Sequence, residues 1–359
     1  MDDKVYRVAV ISTGGVGSIA VPAVARRGDF DLVGVWVHSP DKVGVDAGEL
    51  VGIGPIGLPA TGDLDEIIAL APDCAVYAAT SDELDAAAVR DYVRLLEAGI
   101  NVVTTNTPGM MYPDGWIPEF VDQVRAAAIK GGVTAYTSGI EPGFAGDQLV
   151  VVLTTLSKTI RSVRTQEIFD YSTYPNTHMM FDVMGFGKPM DYTPILAFDG
   201  VQQFAWGPPI RLVAHALGIE LDEIAESFER EITPRELTVA AGVIPAGTCG
   251  AIRTETMGMV DGQPVITIEH VNRMAPDIAP QWPTAPNGTY RILIDGEPSM
   301  TCDLRLGTPE TAGVDGMVAT AMRVVNAIPY VVEARPGTAT SLDLPVTAPR
   351  YPLEQMTSR

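Results

Sequence analysis

The run Val5–Ile11 leads directly into Ser12-Thr13-Gly14-Gly15-Val16-Gly17 and then into a helix of small residues. This strand, turn and helix constrain the fold more than any other stretch, because each glycine has its own mechanical use. Gly14 lets the backbone approach a pyrophosphate, and Gly17 lets the helix lie close on the strand. The helix start near Thr13, Gly15 and Val16 offers unpaired N–H groups and the positive end of a dipole to an anion. A full G-x-G-x-x-G would need glycine at Ser12, and a plain tight turn accounts for the same residues without a ligand. The position of the turn, after the first strand and opening a helix, favours a dinucleotide site. Pro22 falls inside that helix and predicts a kink or a short first segment.

Short β-branched runs at Leu32–Val37, Cys74–Ala79, Asn101–Thr105 and Val133–Thr137 follow the first strand. Helical stretches at Asp82–Ala98, with Asp82 as its cap, and at Trp116–Lys130 lie between them. Alternation of this kind builds a parallel sheet. Beyond about residue 150 the pattern changes to longer runs at Ser162–Tyr171, Gly250–Val260, Val265–Met274, Tyr290–Ile294 and Met300–Leu306. Asp261-Gly262 and Asp295-Gly296 are expected to be hairpin turns. Helices are expected near 143–157 and 209–230, with a last one over Ala312–Ala327. The expected fold is α/β. A Rossmann-type parallel-sheet domain covers 1–145 with a C-terminal return over about 312–359, and a second α+β domain with a mainly antiparallel sheet covers 146–311.

The formal charge of −21 makes nucleic acid and anionic membranes poor partners. No apolar run is long enough to span a bilayer, and the N-terminus shows no signal core. Cys74, Cys249 and Cys302 are widely spaced, which fits a reducing compartment, so a cytoplasmic protein is expected. No histidine and carboxylate spacing indicates a metal.

About twenty residues past Gly17, an NAD site would place a carboxylate on the ribose. This chain has Trp36-Val37-His38-Ser39 there, with Lys42 close by. Without an acid to repel a 2′-phosphate, and with Ser39 and Lys42 to bind one, NADP is preferred over NAD. His38 is placed either to pack on the adenine or face solvent, or to take part in the chemistry. A ligand in such a sheet crosses the carboxyl ends of the strands. That brings in Ala79 and Thr80, Thr105 and Asn106, and the stretch Ser138-Gly139-Ile140-Glu141-Pro142-Gly143-Phe144.

Taken together, several stretches resemble one group. They are Ser12–Gly17, Asp31–Ser39 with Asp46–Leu50, Asp73–Tyr77, Asn101–Thr105, Gly139–Phe144, Met184–Gly187 and Val325–Pro329. The group is that of native amine dehydrogenases and 2,4-diaminopentanoate dehydrogenases, whose N-terminal domain resembles that of dihydrodipicolinate reductases. The likeness spans nearly the whole chain. It implies a homodimeric NAD(P)-dependent oxidoreductase whose substrate lies between the two domains. It further implies reductive amination of a small ketone or aldehyde with ammonia, and the reverse deamination, with hydride moving between nicotinamide and an imine carbon.

Two departures from the group's pattern stand out. The resembling enzymes carry a glutamate shortly before a Tyr-Pro pair, whereas the loop Asn106–Met111 before Tyr112-Pro113 holds no acid. Their Gly-x-Asn-Pro-Gly turn reads Gly139-Ile140-Glu141-Pro142-Gly143 here. Glu141 is therefore the candidate to orient ammonia and exchange protons with the amine or carbinolamine, since a partly buried carboxylate is a competent proton acceptor. The alternative for Glu141 is a helix cap or a charge pair. Pro142 is assigned to the cofactor side. Tyr171, Tyr174, Asn176 and His178 supply the hydroxyls, amide and imidazole of a small polar pocket, and Tyr174 and His178 would share a face if helical. Met179, Met180, Phe181, Met184 and Phe186 form either an apolar wall of that pocket or core. His270, Asn272 and Arg273 lie on a strand alternating with apolar residues, so that one face either reaches the site or a partner subunit or faces solvent, solvent being preferred, and His215 is expected to be a helix residue without a role. The remaining readings are a reductase of another C=N or C=O substrate, and a nucleotide-binding protein without turnover.

Overall fold

Tyr6, Val8 and Val10 of the first strand pack into one apolar cluster, and Ala9 and Ile11 pack into another. That period of two fits a strand buried on both faces, as strands of a parallel sheet are. The computed structural model describes residues 4–80 and 85–350, so Ser81 and the proposed cap Asp82 lie outside the described residues.

In chain order the first elements are β1 (Tyr6–Ile11), α1 (Gly15–Ala25), β2 (Phe30–Trp36), α2 (Ala47–Leu50), α3 (Leu64–Ala69) and β3 (Cys74–Tyr77). They continue with α4 (Ala86–Glu97), β4 (Asn101–Thr104), α5 (Pro118–Gly131) and β5 (Thr134–Thr137). There follow α6 (Gln148–Thr154), β6 (Thr159–Asp170), α7 (Val201–Leu217), β7 (Glu223–Ile232), and the small hairpin β8 (Leu237–Val239) and β9 (Gly242–Ile244). The chain continues with β10 (Cys249–Val260), β11 (Gln263–Arg273), β12 (Thr289–Glu297), β13 (Met300–Arg305), α8 (Ala312–Val325), α9 (Ile328–Val332) and β14 (Gly337–Ala339).

The chain divides into two units, residues up to Gly139 with those from Met317 onward, and Ile140–Gly316. Glu141 thus falls in the second unit, not in the first where a boundary at 145 would put it. Among the described residues, the first unit holds a six-stranded sheet in the order β14-β5-β4-β3-β1-β2, every pair parallel. Strand order reverses between β1 and β3, which is where such sheets bind ligands. The return contributes more than an edge strand, since Val324, Val325, Ile328 and Val331 join the cluster around Val8 and Val10. Pro22 does not break α1: the helix runs through to Ala25, anchored by buried Ala20, Val21 and Val24.

Among the described residues, the second unit's main sheet has the order β13-β12-β6-β11-β10-β7. Its pairs are antiparallel except β6 with β11, which run parallel at its centre. Val150 of α6 and Ile210, Val213 and Ala214 of α7 pack with Val163, Ile266, Ile268, Ile292 and Ile294 of the sheet. The helix expected at 209–230 is corrected. α7 begins after Gly200 and stops at Gly218, whose φ of 69° is a left-handed stop, and Glu223–Ile232 is the strand β7. Asp295-Gly296 is corrected too: both lie within β12, opposite Ser162 and Ile160. A Cβ on Gly296 would stand 2.2 Å from the Thr159 carbonyl oxygen, so the glycine serves close strand approach. Asp261 and Gly262, with φ of 50° and 72°, do make the turn from β10 to β11. Met180 and Phe186 are fully buried beside Leu196, Ile244 and Ile252, with Phe181 and Met184 packed against them. Among the described residues, no helix is long and apolar enough to cross a membrane.

Candidate active site

Ser12, the residue standing where the fingerprint has its first glycine, holds φ at 95°, a conformation that strains any residue with a Cβ. Its hydroxyl accepts the Gly14 N–H at 3.1 Å, a local bond that offsets part of the strain. A Cβ on Gly17 would lie 2.0 Å from the Ser12 carbonyl oxygen, so only glycine lets α1 sit this close to the end of β1. Among the described residues, no side chain caps α1 and no acid stands in its first turn. The helix start at Gly15 and Val16 is therefore open to an anion. Lys42 donates to the Thr13 hydroxyl at 3.4 Å, which brings a cation to this turn. His38 is exposed, with its ring 6.1 Å from that of Trp36, and Ser39 is half-buried. At the ends of β3 and β4, the Asn106 amide donates to the Ala79 carbonyl at 2.9 Å and its oxygen accepts the Thr107 N–H. Asn106 thus braces the strand ends. Thr80 is exposed and Thr105 half-buried beside them. These residues fit a dinucleotide: a close backbone approach, a bare helix start and one nearby cation.

The second unit opens on Glu141 and Pro142 in extended backbone and Gly143 at φ 136°, a region that favours glycine. The helix expected from 143 starts only at Gln148, whose N–H is capped by the Asp147 carboxylate. Glu141 therefore caps no helix. Its side chain is 2% exposed, and among the described residues neither carboxyl oxygen has a hydrogen-bond partner. A Cβ on Gly146 would stand 2.7 Å from Glu141 Oε2, so a glycine makes room for the carboxyl.

Beside it, one row of the sheet carries Thr254 of β10, His270 of β11, Glu167 of β6 and Tyr290 of β12, each in register with the next. Register partners share a face, so the row presents its side chains together. His270 Nε2 is 3.9 Å from Glu141 Oε1, and the His270 ring lies 4.4 Å from that of Trp206 on α7. Among the described residues, Trp206 Nε1, Thr254 Oγ1 and His270 Nδ1 also lack hydrogen-bond partners. Several unpaired polar atoms buried around one carboxyl are what a site built for a small polar ligand shows.

Burial, then the neighbouring Glu167 and Asp147, hold the Glu141 carboxyl well above its ordinary range, so the acid stays protonated past the usual pH. Glu167 is pushed up to about 7 by burial, opposed by bonds from the Tyr171 hydroxyl and the Asn272 amide. His270 is pushed down to about 3 by burial and stays neutral.

Of the residues singled out for a pocket, Tyr171 reaches this cluster, its hydroxyl donating to Glu167 Oε1 at 3.0 Å. Tyr174 packs on Tyr171 with ring centres 5.8 Å apart, but lies in the turn before the helical segment at His178–Val183, so it shares no helix face with His178. Asn176 and His178 are exposed; Asn176 accepts the Met179 N–H and His178 pairs with Asp182 at 3.2 Å. The expectation that His270, Asn272 and Arg273 face solvent is overturned: all are 5% exposed or less. β11 is covered on both faces, and Arg273 bonds the carbonyls of Ile278, Ala279, Trp282 and Pro283. Glu167, Tyr290 and Trp206 were not singled out from the sequence. The sequence signal was weak, since Glu167 follows Arg164-Thr165-Gln166 and His270 sits beside Glu269, so polar residues fall on both faces of these strands.

A turn that fits a dinucleotide in one unit, and a buried, unpaired carboxyl in the second, are features that an NAD(P)-dependent oxidoreductase requires. A family model described as the 2,4-diaminopentanoate dehydrogenase C-terminal domain matches residues 144–356. An amine dehydrogenase of Streptomyces virginiae is 39% identical over 94% of this chain and 95% of its own length. The 2,4-diaminopentanoate dehydrogenase of Acetoanaerobium sticklandii is 24% identical over 95% of this chain and 93% of its own. Among solved structures, an amine dehydrogenase from Mycobacterium smegmatis aligns with a TM-score of 0.75 at 25% identity, covering 96% of this chain and 97% of that one. The chain belongs to the family of amine dehydrogenases and 2,4-diaminopentanoate dehydrogenases.

Proposed function

We propose that this amine dehydrogenase reductively aminates a small, largely apolar ketone or aldehyde with ammonia, runs the reverse deamination, prefers NADP, and uses Glu141 as its proton acceptor. The observation that carries this reading is the Glu141 carboxyl, buried and without a partner among the described residues. When bound, the nicotinamide dinucleotide supplies the hydride chemistry. Ser12, Thr13, Gly14, Gly15, Val16 and Gly17 would hold its pyrophosphate, with Ala79, Thr80, Thr105 and Pro142 toward its other end. Ser39 and Lys42 favour the phosphorylated ribose, with His38 beside the adenine.

An amine enters as the ammonium ion and must become neutral before its carbon can be oxidised. Once its own resting proton has left to solvent, Glu141 accepts that proton: an N–H bond breaks, an O–H bond forms, and the electron pair stays on nitrogen. Burial strengthens Glu141 as a base by making its ionised form costly. The charged groups acting on Glu141 are themselves acids, Glu167 and Asp147, so the carboxylate of a keto acid meets repulsion there. That favours an uncharged carbonyl substrate. Tyr171 borders the acids, while Tyr174, Asn176 and His178 belong to the outer parts of the pocket on this reading. A homodimer in the reducing cytoplasm completes it.

The test is NADPH consumption by purified protein with ammonia and a panel of short ketones and aldehydes, set beside a keto-acid panel. Turnover with the uncharged carbonyls supports the proposal. NADPH binding with no turnover on either panel overturns it in favour of a nucleotide-binding protein, and turnover confined to keto acids overturns the substrate class.

A further inference from the structure

Glu167 is the register partner of His270, whose ring reaches to 3.9 Å from Glu141, and the two acids are held differently. Glu167 Oε1 accepts the Tyr171 hydroxyl at 3.0 Å and the Asn272 side-chain amide at 3.3 Å. Among the described residues, the Glu141 oxygens accept nothing. Donors aimed at a carboxyl favour its ionised form, and two acids acting on one another in dry surroundings do not both ionise without a large cost. We propose that Glu167 is the positioning residue of this site: the bonds from Tyr171 and Asn272 make it the first of the two acids to ionise, and its charge then keeps the pair's remaining proton on Glu141. The proposal rests on the reading of Glu141 given above and assigns the group that sets its strength as a base.

His270 on β11 is held neutral by burial, and Tyr290 on β12 is pushed far above the usual range and stays a phenol. Tyr171, after β6, is likewise held neutral. Trp206 on α7 carries no charge. Asp147, the other acid acting on Glu141, is committed to the Gln148 N–H at the start of α6. Glu167 is therefore the acid of the sheet row that can impose its charge on Glu141. When an ammonium ion arrives, the Glu141 proton leaves to solvent and the carboxylate receives the cation. The N–H proton then passes to Glu141, whose affinity for it the fixed charge on Glu167 raises.

The test uses infrared titration of the cofactor-free full chain. The protonated-carboxyl band that Glu141→Gln removes belongs to Glu141. In wild type that band is expected to persist past neutral pH. In Glu167→Gln it should titrate at least about one pH unit lower, because the like charge is gone. Tyr171→Phe should move it the same way by less, since Glu167 then competes for the proton, and Glu167→Asp should restore wild-type behaviour. The pH profile of single-turnover amine oxidation should shift with the band. An unchanged Glu141 titration in Glu167→Gln overturns the role of Glu167. Wild-type amine oxidation by Glu141→Gln overturns instead the reading of Glu141 on which this rests, so the two failures are distinguishable.

Discussion

Nε2 of His270 stops 3.9 Å short of Oε1 of Glu141. That is beyond a direct hydrogen bond yet too short for an atom to lie in line between ring and carboxyl, which would need about 5.6 Å. Neither group is charged at rest: burial holds the imidazole neutral and the carboxyl protonated. A nitrogen or water bound beside the pair could hydrogen-bond to both groups only from the side.

Removing the Glu141 carboxyl while keeping its shape should stop the proton step without disturbing the fold. Glu141→Gln is expected to lower the single-turnover rate of amine oxidation about a hundredfold or more. NADP affinity should stay at the wild-type value. Stopped-flow absorbance of NADPH measures the rate, and equilibrium titration measures the affinity. An unchanged rate would remove Glu141 from the chemistry.

Stability should pass through a maximum in weakly acidic solution. Glu167 is raised from 4.5 to about 7, so its contribution is complete below the unfolded value and is lost as pH rises through 7. His270 is lowered from 6.5 to about 3, so the unfolded chain binds a proton that the folded one refuses, and stability is lost as pH falls below 6.5. Thermal melts across pH 4–8.5, taken as roughly the range these groups span, should show both limbs. Glu167→Gln should flatten the alkaline limb, and His270→Gln the acid one.

The turn at residues 12–17 should tolerate change at one end and not at the other. Gly17→Ala forces a Cβ to within 2.0 Å of the Ser12 carbonyl oxygen, and is expected to cost about 1–3 kcal/mol and most of the cofactor affinity. Ser12→Gly relieves a φ of 95° while losing the bond to the Gly14 N–H, so its stability should stay within about 1 kcal/mol of wild type. Urea unfolding and NADPH titration of the two variants provide the comparison.

Lys42 is the cation at that turn, reaching Thr13 at 3.4 Å. Lys42→Ala should raise the KM for NADPH about tenfold and leave that for NADH unchanged. Equal effects on both would place Lys42 at the pyrophosphate and not at the ribose phosphate.

The first unit was largely legible in the sequence because its strands are short, apolar and punctuated by glycine-rich turns, and each expected strand there lies within two residues of the observed one. The second unit was harder. Glu223–Ile232 alternates charged and apolar side chains too loosely to distinguish strand from helix, and Asp295-Gly296 mimics a hairpin turn while serving a close strand approach. At the site, the departure at Glu141 was visible from the turn it interrupts. Its surroundings were not, because whether His270 and Asn272 face solvent depends on what covers β11, and that cover comes from α6 and α7, far away in sequence.

The return of the chain to the first sheet bears on the order of synthesis. Val324, Val325, Ile328 and Val331 complete the core around Val8 and Val10, and β14 closes the sheet beside β5. A ribosome adding about 5–20 residues per second makes the whole of Ile140–Gly316 before those residues emerge. For that interval the nascent nucleotide half has an open strand edge and an uncovered apolar face. The second unit can therefore mature while the first still waits, and a ribosome stalled near residue 310 would expose a surface that chaperones bind.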